Sequence, residues 1–593
     1  MSRHSYDYGV IGNCAYTAHI NKNTNISWMC WPRFDSSFIF GSLLDDEKGG
    51  EFSIQPSSGI KSSEQYYSDN TNVLCTEITS ETGKYRVTDF APRFFQEDRY
   101  FKPLMLIRKI ERLKGTPKIL VKCKPKGNYG DFTPEASLGS NHIRFLGMDS
   151  SVRLTTNISL TSIIEEQGFV LNETKYLVLT WGPPLEAALA ETSENFLTKT
   201  TNYWRNWIKS ANIVNFYQRY AIRSALILKI HQYEDTGAII AATTTSLPES
   251  PGSGRNWDYR FCWMRDTYYT LNAFNNIGHF EESEKYFHYI LNTTIEESDR
   301  YQPLYGIDGK KELVEEITDL AGYKGNTPVR IGNDAYTHIQ NDVYGQVLIS
   351  LLPLYNDRRI VFEERFNTPD LIFKTLKMIE RTFDEKDAGL WEFRNLAQHH
   401  CYTYLFHWAG SSAAIKIARF LKDDRMGELA TNLKARSIEM IEKCYYPPKK
   451  GYAQAAGVDR MDASNLQLIL MNYLPGDSRK AKEHLKACEE ELHAGNGLFY
   501  RYMFEDDFGK PESTFLICAF WYVEALACVG RIDEAKDYFE KILGYSNHVD
   551  LLSEDIISRD GSMWGNFPQA YSHVGLLNAA SRIARKLDEP DFY

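Results

Sequence analysis

Short apolar runs alternate with turn-forming residues over the first part of the chain, up to about residue 195. Examples are Y-R-V-T-D-F (85–90), L-M-L-I-R-K-I (104–110) and Y-L-V-L-T-W (176–181), with Gly, Asn, Asp and Ser between such runs. Many short strands joined by frequent turns are typical of an antiparallel sandwich. We therefore predict an N-terminal antiparallel β-sandwich domain over residues 1–195.

The apolar spacing becomes helical from about residue 195, beginning with N-F-L-T-K-T-T-N-Y-W-R-N-W (195–207). Roughly twelve later segments show i, i+3/i+4 apolar spacing, and long loops separate them in pairs. This pattern predicts six helical hairpins closed into an (α/α)6 barrel. Residues 196–214 are expected to form a linker helix region and residues 215–593 the catalytic domain. A repeat solenoid is disfavoured because no fixed period recurs.

Composition and charge narrow the class of protein. The 593 residues are 43% hydrophobic and 24% charged, which is typical of a soluble chain with more than one domain. The net charge of −11 is spread along the chain, and the absence of a basic stripe argues against a nucleic-acid partner. Aromatic residues make up 13%, which fits either a carbohydrate-facing surface or an aromatic-rich core.

The cysteines and the apolar segments bear on cofactors and location. The ten cysteines are scattered singly without a C-x-x-C pair, so no metal site and no cofactor are expected. The N-terminus lacks an apolar h-region, and no later stretch reaches 18 apolar residues. We expect a cytoplasmic protein with no membrane contact, and a homo-oligomer remains possible.

The segment R-N-W-D-Y-R-F-C-W-M-R-D (255–266) concentrates aromatic rings, arginines and aspartates. Charged residues interrupt both helical and strand spacing there. Arg265 and Asp266 place a donor fork and an acceptor carboxylate side by side, as a clamp for sugar hydroxyls requires. The alternative is a buried ion-pair cluster under a loop.

Two glutamates are candidate catalytic groups. Glu392 lies in G-L-W-E-F-R (389–394), and Glu554 lies in D-L-L-S-E-D (550–555). Hydrolysis of a glycosidic bond usually needs one carboxyl group to donate a proton and another to activate water or attack. Each glutamate alone is more commonly an exposed surface carboxylate, so the surrounding motifs carry the hypothesis.

Several ordered blocks resemble glycoside hydrolase family 15, the glucoamylase and trehalase group. They are R-N-W-D-Y-R-F-C-W-M-R-D, P-V-R-I-G-N (328–333), G-L-W-E, L-L-S-E and G-N-F-P-Q-A-Y-S-H (565–573). The starts Y-D-Y-G-V-I-G-N-C (6–14) and W-P-R-F-D-S (31–36) are similar to bacterial members. The resemblance spans nearly the whole chain and implies an (α/α)6 barrel preceded by a β-sandwich.

The resemblance also implies an inverting mechanism, with Glu392 as general acid and Glu554 as general base. Inversion requires roughly 6.5–9.5 Å between the two carboxyl groups, which leaves room for the attacking water. Trp391 is expected to desolvate Glu392 in part and keep it protonated. Glu554, followed by Asp555, must instead stay ionised to take a proton from water.

Further positions resemble residues that line the family's sugar site. They are Tyr259, Trp263, Arg265, Asp266, Arg330, Trp391, Arg501 and Tyr571. Tyr259 is similar to a tyrosine that holds the nucleophilic water, and Tyr571 is a candidate stacking platform. Trp31, Arg33 and Asp35 are expected at the domain interface.

The chain departs from many bacterial relatives directly after the proposed acid. It has N-L-A-Q-H-H-C-Y-T-Y-L-F-H-W (395–408) in place of a glycine pair and an H-F-T-H-S-K segment. His399, His400 and His407 suggest a metal site, but their apolar and aromatic neighbours favour packed or hydroxyl-bonding histidines. The departure leaves the leaving-group subsite open.

These observations favour an exo-acting, inverting α-glucoside hydrolase of glucoamylase type that releases β-glucose from an α-linked glucan or oligosaccharide. An α,α-trehalase is the alternative. An inverting disaccharide phosphorylase is less well supported because L-L-S-E and Glu554 are intact. An inactive sugar-binding protein is disfavoured because both carboxylates and the Arg-Asp clamp are present.

Overall fold

The computed structural model describes residues 3–295, 297, 299–357 and 368–588. Its N-terminal part is built from antiparallel strands. They are Tyr8–Gly12, Thr17–Asn21, Ile26–Cys30, Phe38–Phe40, Glu51–Pro56, Ser62–Tyr67, Leu74–Thr79, Gly83–Phe90, Phe94–Gln96, Arg99–Phe101, Met105–Gly115, Lys118–Lys124, Glu135–Leu138, His142–Leu146, Val152–Thr156, Phe169–Val170 and Lys175–Trp181. A short helix, Leu160–Ile164, lies among them.

These strands form two layers over a shared apolar core. Within the described residues, one layer is an eight-stranded sheet, and the other contains a four-stranded and a three-stranded sheet. In the strand Lys118–Lys124 every second side chain is buried, namely Ile119, Val121 and Cys123. This alternation is the period of a strand with one face on a core. The predicted N-terminal antiparallel β-sandwich is confirmed.

A long helix, Leu189–Lys209, follows the last strand of the sandwich. It begins before residue 195, so the boundary drawn from the sequence falls inside it. Trp204 and Trp207 of this helix are buried, while most of its remaining surface is exposed or half-buried. The division into residues 1–195, 196–214 and 215–593 stays a prediction.

The remaining helices alternate between an inner and an outer position. The inner helices of the described chain are Asp266–Ile277, Asp342–Leu351, Cys401–Leu421, Ala463–Leu466 continuing as Gln467–Leu470, Leu516–Cys528 and Ala570–Asp588. The outer helices there are Gln218–His231, Phe280–Thr294, Pro369–Thr382, Asp424–Lys443, Arg479–Leu492 and Ile532–Leu543. A four-residue helix, Pro353–Asn356, stands between two of these elements.

Sequence pattern decides which position a helix takes. The inner helix Leu516–Cys528 is buried along nearly its whole length, and apart from Tyr522 and Glu524 its side chains are apolar. The outer helix Ile532–Leu543 buries a single stripe that includes Phe539 and Ile542. A helix that is hydrophobic on every side belongs in an interior, and an amphipathic helix covers it.

Each inner helix contacts the next, and Ala570–Asp588 contacts Asp266–Ile277, which closes the ring. Gly345 and Gly410 allow one close approach, because a Cβ on Gly410 would lie 2.7 Å from the Cα of Gly345. Glycine is required where two helix backbones come this near. The predicted (α/α)6 arrangement of the helical part is confirmed.

Side chains from the sandwich also contact the barrel loops. Trp28 donates its indole N–H to the carbonyl of Thr243 at 2.8 Å. Arg33 pairs with Asp308 at 2.6 Å, while its Nε binds Asp35 at 3.0 Å. Trp31, in contrast, is buried in the core of the sandwich itself. In the part of the chain that the structure describes, no helix is long and apolar enough to cross a membrane.

Candidate active site

The loops that lead into the inner helices meet at one cleft. Asp266 and Tyr571 are the first and second residues of their inner helices, and Phe515 directly precedes another. The predicted site residues that line the cleft are Tyr259, Trp263, Arg265, Asp266, Trp391, Glu392, Arg501 and Tyr571. Helix N-termini present unpaired N–H groups, so this end of the barrel suits a ligand rich in hydroxyl groups.

Glu392 lies in a turn with a strained backbone. Its φ is +61°, a region that non-glycine residues other than Asn and Asp seldom adopt. The backbone N–H of Glu392 donates to the carbonyl of Gly389 at 3.2 Å, which closes the turn. Strain of this kind persists where the surrounding structure enforces it, and it accumulates at functional sites.

Three N–H donors converge on a single carboxylate oxygen of Glu392. Oε1 accepts from Trp263 Nε1 at 2.7 Å, from Arg265 Nη1 at 3.1 Å and from Gln340 Nε2 at 3.3 Å. Because these donors occupy Oε1, a proton carried by this carboxyl group belongs on Oε2. The side chain is 20% exposed, and Glu392 lines the cleft.

Arg265 and Asp266 form the donor and acceptor pair that the sequence predicts. Arg265 Nε lies 3.3 Å from Asp266 Oδ1, and Arg265 Nη1 also donates to the carbonyl of Leu390 at 2.8 Å. Burial raises the pKa of Asp266 to about 6, although Arg265 opposes the shift. The side chains of Arg265 and Asp266 are 14% and 15% exposed, so each can reach a sugar hydroxyl in the cleft.

Glu554 is buried beside the cleft, and the described residues that line the cleft do not include it. It is 1% exposed, and Oε2 accepts the backbone N–H of Asn566 at 3.0 Å. Burial, and then the negative charge of Glu249, raise the pKa of Glu554 above its usual range. This setting works against the ionised form that a general base needs.

Tyr259 connects the cleft to Glu554. Tyr259 lowers the pKa of Glu554, in the opposite direction to burial and Glu249. Burial, followed by the charges of Glu554, Glu249 and Glu392, raises the pKa of the Tyr259 phenol. Its ring meets Trp263 edge-on with centroids 5.3 Å apart. Tyr259 therefore lies within electrostatic reach of both predicted catalytic glutamates.

Glu249 is a buried carboxylate of the cleft that sequence reasoning missed. It is 3% exposed and lines the cleft. Arg501 Nη2 donates to Oε2, and Trp257 Nε1 donates to Oε1 at 3.3 Å. The sequence gives little indication that Glu249 belongs to the site, because this residue lies outside any motif, six residues before the segment 255–266.

The indole N–H of Trp391 bonds a carboxylate other than Glu392. Its Nε1 donates to both oxygens of Asp462, at 3.0 and 2.8 Å. The indole that hydrogen-bonds Glu392 belongs to Trp263. The expected role of Trp391 in desolvating Glu392 stays a prediction.

Tyr571 presents a polar group to the cleft. The residue is 3% exposed, and its ring packs against Tyr269 with centroids 5.4 Å apart. Its hydroxyl is buried and has no hydrogen-bond partner among the described residues. A buried hydroxyl of this kind gains from a ligand that supplies the missing partner.

Arg330 lies behind the cleft wall. Its Nη1 donates to the carbonyls of Gly254 and Asn256 at 3.1 and 2.9 Å, and its Nε pairs with Glu315 at 2.9 Å. The guanidinium also lies 4.6 Å from the ring centre of Trp257. Arg330 thus supports Trp257, which lines the cleft, and is itself outside the lining.

Two of the three histidines after the proposed acid bond neighbours outside the cleft, while His400 stacks on Phe393, which lines it, with ring centroids 6.0 Å apart. His399 Nδ1 bonds the hydroxyl of Tyr404 at 2.7 Å, and His407 Nε2 bonds the carbonyl of Asn341 at 2.8 Å. Burial lowers the pKa of His400 and of His407 to about 4. Across the described ranges, no group of His, Cys, Asp and Glu is arranged to hold a metal ion.

Comparison with known proteins places this geometry in context. The sequence model of the family glycosyl hydrolases family 15 matches residues 215–581. The sequence model of the trehalase-like N-terminal domain matches residues 3–169. The chain is 33% identical to a trehalase of Thermoplasma volcanium, covering 98% of this chain and 93% of that protein. It is 30% identical to a trehalase of Mycolicibacterium smegmatis, covering 99% and 92%.

One solved structure matches the whole fold. The crystal structure of a bacterial glucoamylase complexed with acarbose superposes with a TM-score of 0.69, covering 100% of this chain and 96% of that one. The sequence identity is 17%, so the likeness concerns the fold. A barrel of paired helices with a carboxylate-lined cleft, together with these matches, defines a glycoside hydrolase. The chain belongs to glycoside hydrolase family 15.

Proposed function

We propose that the chain is an inverting α,α-trehalase. The observation that carries the proposal is its similarity, over nearly its full length, to proteins named trehalase at 33% and 30% identity. The match of its N-terminal part to a trehalase-like domain supports the same substrate. The glucoamylase-type activity favoured by the sequence has only the fold likeness behind it, at 17% identity.

In this proposal Glu392 and Glu554 act on opposite sides of the bond. Glu392 gives the proton on Oε2 to the bridging oxygen as the bond from that oxygen to C1 of one glucosyl unit breaks. Water attacks C1 from the opposite face, and Glu554 takes the proton that the water loses. The attacked unit leaves as β-glucose and the other unit as α-glucose. Exchange of protons with solvent then restores both carboxyl groups.

Three cleft residues would assist these steps. Arg265 and Asp266 bind neighbouring hydroxyls of the unit that is attacked, because they offer a donor and an acceptor 3.3 Å apart. Tyr259 holds the attacking water, since it lines the cleft and the charge of Glu554 acts on its phenol. Ordered partners of this kind lower the barrier by fixing the reacting groups before the bond breaks.

Release of glucose from trehalose, maltose and isomaltose tests the proposal. We expect trehalose to give two glucose molecules per molecule cleaved, and the other two disaccharides to react far more slowly. A Glu392→Gln preparation, purified in parallel, controls for contaminating glucosidases. Preferential cleavage of maltose would instead support the glucoamylase type. Glucose 1-phosphate formed only with phosphate would indicate a phosphorylase, and binding without turnover a sugar-binding protein.

A further inference from the structure

The N-terminal segment of the chain reaches the loop that follows Glu554. The motif Y-D-Y-G-V-I-G-N-C begins at Tyr6, just before the first strand of the sandwich. The side chain of Tyr6 is fully buried, and its ring stacks on Phe567 with centroids 4.8 Å apart. Its hydroxyl donates to the carbonyl of Gly565 at 2.9 Å. A residue at the start of the sandwich thus bonds the barrel 559 positions further along the chain.

One peptide unit connects Tyr6 to the proposed base. The carbonyl of Gly565 accepts the Tyr6 hydroxyl. The N–H of the same peptide unit belongs to Asn566 and donates to Oε2 of Glu554 at 3.0 Å. Because a peptide unit is planar, a bond that fixes its carbonyl also fixes the direction of its N–H. Hydrogen bonds linked in this way also polarise and strengthen one another. The Tyr6 hydroxyl therefore acts on Glu554 without touching it.

Close packing leaves this peptide unit little freedom. Gly565 has a φ of +73°, and a Cβ there would lie 2.5 Å from the Cβ of Glu554. Only glycine allows the backbone to come this near. The N–H of Gly565 donates to the carbonyl of Pro248 at 2.7 Å. The N–H of Glu554 donates to the carbonyl of Asn566 at 3.1 Å. The side chain of Glu554 is thus packed against the peptide unit that Tyr6 holds.

One oxygen of Glu554 remains available for the reaction. Oε2 accepts the N–H of Asn566, whereas Oε1 is buried and has no hydrogen-bond partner among the described residues. In the proposed reaction Oε1 is then the oxygen that takes the proton from water. Burial, followed by Tyr323, raises the pKa of the Tyr6 phenol well above its usual range. Tyr6 therefore stays protonated and remains a donor.

Several charged or titratable groups surround Glu554 and set its protonation together. They are Glu249, Asp555, Tyr259, Arg501 and Tyr6. Burial and Glu249 raise the pKa of Glu554, whereas the N–H bond from Asn566 lowers it. A weaker bond from Asn566 would therefore make Glu554 harder to ionise.

We propose that Tyr6, at the start of the sandwich, is a positioning residue for the general base Glu554. It acts through the peptide unit between Gly565 and Asn566. This inference rests on the proposed function, because Glu554 is a general base only in that mechanism. It gives the N-terminal part of the chain a role in turnover, since a side chain from the sandwich orients a reacting group of the barrel.

Tyr6→Phe removes the hydroxyl and keeps the ring on Phe567. We expect kcat for trehalose to fall by about 10- to 100-fold with KM within a factor of about three, because the base is misplaced while the sugar contacts remain. We also expect the acidic limb of kcat/KM to move to higher pH. The matched control, Tyr85→Phe, removes a buried hydroxyl that donates to the carbonyl of Ile54 at 3.0 Å inside the sandwich. It should change neither kcat nor the limb.

A double-mutant cycle separates positioning from a general loss of structure. If Tyr6 acts through Glu554, adding Tyr6→Phe to Glu554→Gln should lower kcat further by less than about threefold. A second full loss in the double variant would overturn the inference. An acidic limb that stays in place or moves to lower pH in Tyr6→Phe would do the same.

Replacement of Tyr6 by 3-fluorotyrosine tests the inference even if Tyr6→Phe does not fold. The fluorine makes the O–H a stronger donor, so the acidic limb should move to lower pH. A limb that is unchanged or moves to higher pH would contradict the role of Tyr6.

Failure of the proposed function would look different. Glu554→Gln would then retain turnover, and the base role would fall whatever Tyr6→Phe does. An inactive Glu554→Gln beside a Tyr6→Phe that matches Tyr85→Phe would overturn the role of Tyr6 alone. If the wild type cleaves maltose and not trehalose, the same comparison made with maltose decides the role of Tyr6.

Discussion

Trp263 donates its indole N–H to Oε1 of Glu392 at 2.7 Å, although the two residues are 129 positions apart in the chain. Arg265, two residues after Trp263, donates to the same oxygen at 3.1 Å. The segment proposed to bind the sugar therefore also orients the proposed acid. Substitution of Trp263 or Arg265 is therefore expected to affect both sugar binding and proton transfer by Glu392.

Replacing each proposed catalytic glutamate should remove turnover while leaving substrate binding largely intact. We expect Glu392→Gln and Glu554→Gln each to lower kcat for trehalose by about 10²- to 10⁴-fold, because a positioned acid or base contributes that much. Steady-state kinetics measures the change. Glu135→Gln, at an exposed strand position, is the matched control. Wild-type turnover in either site variant would remove that residue from the mechanism.

The anomeric form of the first product reports the stereochemistry. If Glu554 activates water, one unit of trehalose leaves as β-glucose and the other as α-glucose, in equal amounts at first. Proton NMR during the first minutes, before mutarotation, distinguishes the two anomers. An initial product that is entirely α-glucose would mean retention through a covalent intermediate, and the role given to Glu554 would be wrong.

Removing the charge of Glu249 should shift the pH profile. Burial and the negative charge of Glu249 raise the pKa of Glu554. As the pH falls, this base is therefore protonated at a higher pH than it would be without Glu249. We expect Glu249→Gln to lower that pKa and move the acidic limb of kcat/KM for trehalose to lower pH. The profile should be recorded for both proteins at one ionic strength. A limb that stays in place or moves to higher pH would contradict the coupling.

Asp266 should matter for sugar recognition. Truncation in Asp266→Ala leaves Arg265 and the sugar hydroxyls without an acceptor, which costs about 1–3 kcal/mol in transition-state binding. We expect kcat/KM for trehalose and for α-glucosyl fluoride to fall together, because both place a glucosyl unit beside Asp266. Asp319→Ala, at a fully exposed side chain, serves as the control. No loss in Asp266→Ala would exclude a direct contact.

Glu524 should make stability depend on pH. Burial in the inner helix raises the pKa of Glu524 from 4.5 to about 7, although Arg582 opposes the shift. The pKa of Glu524 is higher in the folded state than in the unfolded state. The stability that the protonated carboxyl contributes is therefore fully present below pH 4.5 and is lost as the pH rises through about 7. We expect the free energy of unfolding of the wild type to fall more steeply over this window than that of Glu524→Gln. Denaturant titrations at several pH values measure both slopes, and equal slopes would contradict the assignment.

The sequence by itself determined the class of the two parts of the chain and most of the cleft. Period-two and period-3.6 spacing predicted the sandwich and the paired helices because apolar periodicity reports which face of an element is buried. Compact motifs identified Arg265, Asp266 and Glu392, since donors, acceptors and rings close together in sequence remain close in space. The helix Leu189–Lys209 shows the limit, because Leu189 in its first turn packs on side chains of the sandwich that are distant in sequence.

Only the tertiary structure decided which side chains share a site. Glu249 is a lone glutamate in the sequence, and it joins the cleft through Arg501, 252 residues away. Trp391 is adjacent to Glu392 yet bonds Asp462, while Arg330 supports Trp257 from behind. The physical reason is that closure of the helical ring brings loops that are distant in sequence to one end of the barrel. The direction of each side chain there depends on packing between segments that no local pattern encodes.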